Sequence, residues 1–327
     1  MPNTARLAHQ LVLWLMLSLA APAAWACTVN PGASADFGSV SSFAIANSVQ
    51  TTEALPNAGV SCRGSLLQVL NLSDQWIRAT AISANGSTLV NAASGDAIPY
   101  RAFASAAEGE ELFPGTTYNF FNPVLIDLLG LIGGQVVDIP LEFHTQPSSN
   151  IAAGTYSDTL TINWDWRICD VALLACLSFR TGSDTSTLQL SLEVTPDCAI
   201  EAPDLHFGSA PLVAGFDPVA QTLHITCTKG SDYSVGLSDG QHASGVTRRM
   251  AHNGSYLEYQ LYKSSSGFER WGDIGSERRS SASADFNPGT PDGAAAQGFT
   301  YRGEILPEQT TPPPDTYTDA IVVDVTF

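Results

Sequence analysis

The histidines of this chain offer the widest range of acid–base and metal chemistry, and their spacing argues against a catalytic site. The five beyond residue 26 are His144, His206, His224, His242 and His252. None lies at metal-ligand spacing from another, and no His-Glu-x-x-His, Gly-x-Ser-x-Gly or glycine-rich phosphate-binding motif occurs. Aspartates and glutamates are scattered, so no pair suggests a general acid and base. We therefore expect no enzyme activity, no cofactor and no metal site, and an exported enzyme is the least favoured alternative.

The six cysteines all follow residue 26, and the segment before them is typical of a secretory signal peptide. Residues 1–26 contain Arg6, no acidic residue, an apolar run from Leu11 to Ala21 and the cleavage motif Ala24-Trp25-Ala26. The apolar run is too short for a membrane span. An even number of cysteines in an exported chain predicts a set of disulfides.

A repeat in the sequence selects one set of disulfide pairs. Each half of the chain has a cysteine, a Phe-Gly-Ser triplet and a second cysteine in the same order, beginning at Cys27 and again at Cys198. The two cysteines between these repeats would close a small loop. A zinc site is the competing interpretation, but no Cys-x-x-Cys or clustered histidine accompanies them. The expected bridges are Cys27–Cys62, Cys198–Cys227 and Cys169–Cys176.

The repeat continues in two similar strand patterns, Gly154–Ile162 and Asp315–Phe327. In the second copy, four apolar residues alternate with the residues between them, as in a half-buried β-strand. The first copy runs on through Trp164 and Trp166 and returns as another alternating stretch, Thr187–Val194, whereas no such stretch follows the second copy. We therefore expect a closing strand in the first half and none in the second. The four alternating residues are Ile321, Val323, Val325 and Phe327.

The composition predicts two all-β domains. Gly, Ser and Thr are plentiful, and short alternating runs are separated by Gly, Pro, Asn and Asp, which is the pattern of β-sandwiches. Thr195-Pro196-Asp197 is the expected joint, because proline cannot continue a strand ladder and the second repeat starts directly afterwards. The domains would be residues 27–195 and 196–327. The formal net charge of −18 argues against nucleic acid or an anionic membrane as a partner.

Three apolar insertions, at residues 66–70, 124–132 and 171–174, distinguish the first half from the second. They fall where loops are expected to be polar. Burial in the core is one interpretation, and 124–132 has the spacing of a short helix. The neighbouring glycines and the Cys169–Cys176 bridge are instead features of hairpin tips, and the bridge would restrain a loop with little packing of its own. We expect the insertions to form one exposed surface-binding site. Its residues are Leu66, Leu67, Val69, Leu70, Val124, Leu125, Ile126, Leu128, Leu129, Leu131, Ile132, Val171, Leu173 and Leu174.

The second half resembles a spore coat protein U domain. The resemblance covers nearly all of 198–327, and the first half is similar only at its cysteines, at Phe37-Gly38 and over Gly154–Ile162. A tandem arrangement with an elaborated first domain is similar to the two-domain tip adhesins of archaic, Csu-type chaperone–usher pili. The matching stretches of the second half are Cys198, Phe207-Gly208, Ile225-Thr226-Cys227, Arg249-Met250, Leu257–Tyr262, Trp271-Gly272-Asp273 and Tyr317-Thr318-Asp319.

This resemblance implies immunoglobulin-like sandwiches, the second of them incomplete and completed by a donor strand from the next subunit. The accepting edge would be Ile321, Val323, Val325 and Phe327. The implied function is a pilus tip adhesin that binds hydrophobic abiotic surfaces and promotes attachment and biofilm formation. The implied partners are the next pilin subunit, a periplasmic chaperone and an outer-membrane usher. The expected location is the pilus tip at the cell surface, since a mature chain starting at Cys27 would have no strand to donate.

The alternative is a non-adhesive structural pilin or a secreted coat protein of the same family. This alternative predicts that the apolar insertions are buried. The adhesin hypothesis predicts that they are exposed together at the end of the first domain farthest from the joint.

Overall fold

The computed structural model describes residues 27–52, 55, 59–62, 74–104, 111–120, 137–138, 140–172 and 176–327. Nearly all regular structure in these ranges is β-strand, arranged in two tandem domains with separate hydrophobic cores, as the sequence predicts. We call the domain built from strands β1–β11 the N-terminal domain and the one built from β12–β19 the C-terminal domain. No helix in the described residues is long and apolar enough to cross a membrane.

The N-terminal domain contains two described sheets. The smaller has the strand order β1-β3-β8, and the larger has the order β2-β11-β10-β5-β6-β9, with β4 also paired to β10 and β7 to β4. The elements are β1 (Cys27–Val29), β2 (Gly32–Ser41), α1 (Ser42–Asn47), β3 (Val60–Cys62), β4 (Trp76–Ser83), β5 (Thr88–Val90), β6 (Ala97–Phe103), β7 (Thr117–Asn119), β8 (Val137–Asp138), β9 (Glu142–Thr145), β10 (Gly154–Ala172) and β11 (Cys176–Thr195).

A long hairpin of β10 and β11 organises the N-terminal domain. The two strands pair antiparallel from Gly154 opposite Val194 at the base to Ala172 opposite Cys176 at the tip. At the usual rise per residue, a strand of this length spans roughly 60 Å. β4 pairs with the other side of β10, and β2 pairs parallel with the outer edge of β11. β10 is therefore covered on both edges, and its inward residues are buried: Leu160, Ile162, Trp164 and Trp166.

The C-terminal domain has a five-stranded sheet of order β12-β13-β18-β16-β15 and a three-stranded sheet of order β17-β14-β19. Trp271 is fully buried in its core, and its indole nitrogen donates to the carbonyl of Val235. The strands are β12 (Cys198–Glu201), β13 (Val219–Cys227), β14 (Ser234–Leu237), β15 (Arg248–His252), β16 (Ser255–Tyr262), β17 (Arg279–Ser280), β18 (Gln297–Ile305) and β19 (Val323–Thr326), with short 3₁₀ turns at Val213–Gly215, Gly275–Glu277 and Ser281–Ser283.

The two domains repeat several structural details. Cys27 faces Cys62 across β1 and β3 as Cys198 faces Cys227 across β12 and β13, and both pairs are disulfides. The glycine of each Phe-Gly-Ser triplet is left-handed, with φ of 80° at Gly38 and 78° at Gly208, which explains why glycine occupies both positions.

A tyrosine–aspartate hydrogen bond is also repeated. Tyr100 Oη donates to Asp158 Oδ2 at 2.7 Å, and Tyr259 Oη donates to Asp319 Oδ2 at 2.8 Å. Burial, and then the neighbouring carboxylate, raises the pKa of both tyrosines well above the ordinary range, so each hydroxyl stays protonated and remains the donor. Asp158 lies in the Gly154–Ile162 pattern and Asp319 at the matching position of the Asp315–Phe327 pattern, so the repeat extends to the fold.

The segment 27–62 contains the one described α-helix of the N-terminal domain. β2 continues to Ser41 and is followed directly by α1. Ser41 caps this helix, because its hydroxyl accepts a hydrogen bond from Ala44 N, and Ile45 is fully buried beneath it. At six residues the helix is too short to produce a recognisable periodic pattern.

Contacts between the domains lie near the base of the hairpin. The hydroxyls of Ser42 and Thr228 are 2.6 Å apart, and Lys229 Nζ donates to Asp96 Oδ1 at 2.6 Å. Ala152 and Lys229 also form a parallel bridge. Burial raises the pKa of the Asp96 carboxyl, but hydrogen bonds from Lys229 and Ala152 N outweigh it and hold the pKa below its ordinary value.

Candidate functional site: an open strand edge and a loop-bearing end

β19 forms one edge of the three-stranded sheet. It pairs antiparallel with β14, from Val323 opposite Leu237 to Thr326 opposite Ser234. Within the part of the chain that the structure describes, no strand pairs with its other edge. The backbone groups on that edge are therefore available to another strand.

Several apolar side chains next to β19 are only partly buried. Ile321, Val323 and Val325 pack against the C-terminal core without being enclosed by it, and Phe327 is 52% exposed. Sequence reasoning missed the other partly buried side chains that contact the same core, because they come from separate segments of the chain. They are Leu205, Phe207, Phe216, Met250 and Tyr317.

The strand itself is shorter than its sequence pattern predicts. Ile321 precedes β19 and Phe327 follows it, so only Val323 and Val325 of the four expected edge residues lie within the strand. Upstream, Asp319 is held by Tyr259 and by the backbone of Gln241, which directs the chain towards β15 before it reaches β14.

Arg278, the residue directly before β17, fixes β19 in place. Its guanidinium donates to Asp324 Oδ2 at 2.8 Å, to Thr326 Oγ1 at 3.1 Å and to the Ser234 carbonyl at 2.9 Å. These bonds join β19 to β14 and leave the outer edge of β19 uncovered. The edge is thus pre-formed, as an acceptor site for a strand requires.

The third disulfide lies at the tip of the long hairpin, where Cys169 is joined to Cys176. All three bridges therefore have the pairing that the sequence repeat predicts. The expectation that this bridge has little packing behind it is wrong for Cys169, which is fully buried. Its amide also donates to Gln75 Oε1 at 2.9 Å, so the end of β10 is part of the folded domain.

The side chains of the three apolar insertions lie outside the described residues. This applies to all fourteen predicted surface-binding residues, although the backbone of Val171 belongs to β10, opposite Ser178. The residues that flank the insertions are described, and they show where each insertion leaves and re-enters the domain.

The flanking residues of the three insertions are neighbours. Cys62, before the first insertion, pairs with Val137, after the second. Phe120, before the second, donates its amide to the Ile77 carbonyl at the start of β4, just after the first insertion. Gln75 accepts from Cys169 beside the third insertion. The described residues on either side of the three insertions therefore lie at the end of the N-terminal domain that carries the hairpin tip.

The histidines occupy ordinary structural positions. His144 is buried in β9, against the ring of Phe103 and 2.9 Å from Glu142 Oε1. His252 is the last residue of β15. Among the residues described, no group of three or more His, Cys, Asp or Glu side chains is placed to hold a metal ion.

Comparisons with known proteins agree with this architecture. The sequence profile of the Spore Coat Protein U domain matches residues 14–163 and 184–324, so it extends well beyond the second half. The matched stretches end within β10 and β19, the two strands of the sequence repeat. A comparison with curated proteins finds no significant match.

Among solved structures, the fold is similar to a chain in the crystal structure of the CsuC–CsuE chaperone–tip adhesion subunit pre-assembly complex from archaic chaperone–usher Csu pili of Acinetobacter baumannii. The TM-score is 0.60 and the identity 24%, over 92% of this chain and 100% of that chain. A weaker likeness, with a TM-score of 0.31 and 10% identity, covers 90% of this chain and 97% of CfaE, the adhesive subunit of CFA/I fimbria of enterotoxigenic Escherichia coli.

Proposed function

We propose, because the chain belongs to the Spore Coat Protein U domain family, that it is a subunit of an archaic chaperone–usher pilus. The observation that carries the proposal is the contrast between β10, which is paired on both edges, and β19, which is paired on one. In this proposal the C-terminal domain accepts a strand from the next subunit at the outer edge of β19. The family is not one of enzymes, and the function proposed is structural and adhesive.

The energetics of the half-buried side chains support strand acceptance. Full burial of a Val, Ile or Phe side chain contributes about 1.5–3 kcal/mol. Because Ile321, Val323 and Val325 are only partly buried, they contribute only part of this stabilisation. A donated strand would enclose them and pair with the open backbone, so that side-chain pockets set specificity and backbone bonds add affinity.

An assembly chaperone and an outer-membrane usher follow as proposed partners. An uncovered strand edge beside apolar surface promotes aggregation unless another chain covers it. The Acinetobacter structure is a complex of a chaperone with a tip adhesion subunit. By analogy we assign this chain a periplasmic chaperone before assembly and a neighbouring pilin afterwards, with export through a signal peptide at residues 1–26.

The position proposed within the pilus is the tip, at the cell surface. The N-terminal domain pairs β10 with β11 and β11 with β2 from its own chain, and the described residues on either side of the three apolar insertions lie near its hairpin tip. We place the domain boundary at Thr195-Pro196-Asp197, where β11 ends and β12 follows, and propose that the insertions extend away from this joint. The insertions would then form an adhesive surface for attachment and biofilm formation.

Apolar adhesion has a sufficient driving force. Four or five large aliphatic side chains desolvated on a hydrophobic surface supply on the order of 10 kcal/mol. The lower estimates of the cost of association are about 4 kcal/mol. Such binding needs no hydrogen-bonding pattern on the target, so hydrophobic abiotic surfaces are the proposed substrate.

Adsorption of the full chain to polystyrene tests this proposal. Replacing Leu128, Leu129, Leu173 and Leu174 with Ser should reduce adsorption by about tenfold or more, because each change removes apolar area from the proposed contact. A matched control replaces Leu212 and Ile274, which are 61% and 74% exposed on the C-terminal domain, with Ser. The control should adsorb like the unmodified protein.

Unchanged adsorption by a folded insertion variant would refute the adhesive role of these loops and favour a non-adhesive pilin or coat protein. Circular dichroism and intact disulfides establish that the variant is folded. Equal losses in the insertion variant and the control would mean that adsorption depends on general surface hydrophobicity.

A further inference from the structure

Two arginines and two aromatic residues form an alternating stack on the N-terminal sheet. The guanidinium carbons of Arg78 and Arg167 lie 4.5 Å and 5.4 Å from the ring centre of Trp76. Arg167 also lies 4.1 Å from the ring centre of Phe179. The order of the stack is thus Arg78, Trp76, Arg167, Phe179, across β4, β10 and β11. Each contact is in the range of cation–π attraction.

The stack lies on the outer face of the sheet. Trp76 and Arg167 are direct cross-strand partners, and so are the next residues inward, Ile77 and Trp166. Ile77 and Trp166 are buried, so strand alternation directs the stack away from the core, where its members are partly exposed. The Trp76 indole nitrogen donates to Asp165 Oδ1 at 2.9 Å, which fixes the orientation of the ring.

The charged edges of these two arginines remain available. In the described part of the structure, neither Arg78 nor Arg167 makes a hydrogen bond or an ion pair, and only their π contacts hold them. Arg278, by contrast, is bound by Asp324 and backbone carbonyls. A guanidinium stacked through its flat face still presents its fork of N–H donors at the rim, where it matches a carboxylate, sulfate or phosphate.

The strongly acidic composition of the domain makes this arrangement informative. Residues 27–195 contain five basic residues against fifteen Asp and Glu. In such a domain, two arginines stabilised only by rings are better explained by an external anion than by internal pairing. Since both guanidiniums lie against one indole, they are close enough together for a single polymer with repeated negative charges to contact both.

Neighbouring side chains on the same face specify the kind of anion. Thr80 and Thr117 hydroxyls lie 2.8 Å apart across β4 and β7. Thr185 Oγ1 and Asn163 Oδ1 lie 3.2 Å apart across β11 and β10. These hydroxyl and amide groups lie on the same face as the stack, further along the strands. They can donate hydrogen bonds to sugar hydroxyls and accept hydrogen bonds from them.

We propose that this outer face, formed by β4, β7, β10 and β11, binds an acidic polysaccharide. Arg78 and Arg167 bind its carboxylate or sulfate groups, and Thr80, Thr117, Asn163 and Thr185 contact its hydroxyls. The face lies near the hairpin tip and includes none of the apolar insertion residues, and the proposal does not rest on the proposed apolar adhesion. A subunit with both surfaces would attach to hydrophobic material and to surfaces coated with acidic polymer.

Binding of the full chain to immobilised polysaccharides at low salt tests the proposal. The probes are polygalacturonate for carboxylate, dextran sulfate for sulfate and unmodified dextran as the neutral polymer. The expected result is binding to one or both acidic polymers, reduced by added salt, and at least about tenfold weaker binding to dextran.

The double variant Arg78→Gln and Arg167→Gln should weaken binding to the acidic polymer by about tenfold or more, because hydrogen bonds to charged groups are lost. The variant Arg78→Lys and Arg167→Lys keeps the charge without the fork and should give an intermediate loss. A matched control is Arg249→Gln in the C-terminal domain. Arg249 also stacks on a ring, at 4.1 Å from the centre of Tyr256, but its Nε already donates to the His242 carbonyl.

The proposal is overturned if neither acidic polymer binds, if dextran binds equally well, or if the Arg249→Gln control loses as much affinity as the Gln double variant. Should the Gln variant fail to fold, the Lys variant tests the proposal instead. Unchanged binding by the Lys variant would contradict the proposal, because it would mean that positive charge alone, and not the guanidinium fork, is responsible. Binding of polyphosphate with the same dependence on both arginines, but of neither polysaccharide, would also contradict it. The Ser variant of the apolar insertions should bind the acidic polymer normally, which separates this test from that of hydrophobic adhesion.

Discussion

β10 and β19 are copies of one strand in different surroundings. The Tyr-x-Asp motif, whose aspartate is bonded to a buried tyrosine, lies within β10 at residues 156–158 and precedes β19 at residues 317–319. β10 has β4 on one edge and β11 on the other, and its inward residues Leu160, Ile162 and Trp164 are at most 1% exposed. β19 has only β14, and the corresponding residues Ile321, Val323 and Val325 remain partly exposed.

This difference shows that the same strand pattern can be paired on both edges in one domain and on a single edge in the other. In the N-terminal domain both neighbours of this strand belong to the same chain, so β10 is paired on both edges. In the C-terminal domain the corresponding strand has an unpaired edge and apolar side chains that are only partly buried. These are the properties that strand addition requires. The predictions that follow test whether the copies differ in stability as they differ in pairing.

The largest expected effect is on the free energy of unfolding when the inward residue is truncated. Leu160→Ala should destabilise the N-terminal domain by about 2–5 kcal/mol, whereas Ile321→Ala should cost the C-terminal domain only about 1 kcal/mol. Urea unfolding followed by hydrogen-exchange mass spectrometry, which resolves the domains, measures both.

Leu223→Ala is the matched control, since Leu223 is 2% exposed in the C-terminal core and should behave like Leu160. If Ile321→Ala costs as much as Leu223→Ala, the edge is already closed and the comparison fails. When a donor-strand peptide is bound, the cost of Ile321→Ala should rise towards that of Leu160→Ala.

A smaller difference is expected at the repeated tyrosine–aspartate bond. Tyr100→Phe should cost about 1.5–3 kcal/mol, because Asp158 is buried and loses a hydrogen bond to its charge. Tyr259→Phe should cost less, since Asp319 is only partly buried and solvent replaces the lost donor. Thermal unfolding of each variant measures the difference.

Tyr256→Phe provides the reference for the tyrosine variants, because Tyr256 is 42% exposed and should tolerate the change. Equal losses for Tyr100→Phe and Tyr259→Phe would show that the two motifs are equally enclosed, contrary to the comparison.

The smallest expected effect concerns the contact between the domains at low pH. The folded-state pKa of Asp96 lies below its ordinary value of 3.8, so the Lys229–Asp96 pair stabilises fully above about that pH. This contribution is lost as the pH falls through the folded-state pKa. A partly exposed ion pair contributes about 0–1 kcal/mol, and salt should weaken it further.

Lys229→Met should therefore reduce stability at neutral pH and flatten the acid dependence of the melting temperature below about pH 4. Lys263→Met is the control, because it removes an ion pair to Glu269 within the C-terminal domain. An unaltered acid dependence in Lys229→Met would mean that this pair does not couple the domains to pH.

Much of the fold could be predicted from repeated residues. The two cysteine–Phe-Gly-Ser units predict the bridges, since only a common fold brings both second cysteines opposite the first. The alternation around Val323 and Val325 predicts a half-buried strand, although not its short length. That length depends on contacts of Asp319 with Tyr259, which are distant in sequence.

The rest of the candidate site could not be predicted because it depends on register between strands. Trp76 and Arg167 are far apart in sequence and meet only because β4 and β10 pair with that alignment. Leu205 and Met250 likewise pack against the C-terminal core from segments that are far apart in sequence. The Trp-x-Arg pattern at 76–78 places both side chains on one face of a strand. It is too common among strands to predict the stack by itself.

Residue-resolved hydrogen exchange of the full chain tests the central claim most directly. Because Ser238 N donates to the Val322 carbonyl, alternation places the amides of Val323 and Val325 on the open edge, while the corresponding amides of Ile162 and Trp164 lie within a paired sheet. We predict rapid exchange at Val323 and Val325, slow exchange at Ile162 and Trp164, and slowing of the first pair when a donor-strand peptide is added. Equally slow exchange at all four amides in the unliganded chain would contradict the account.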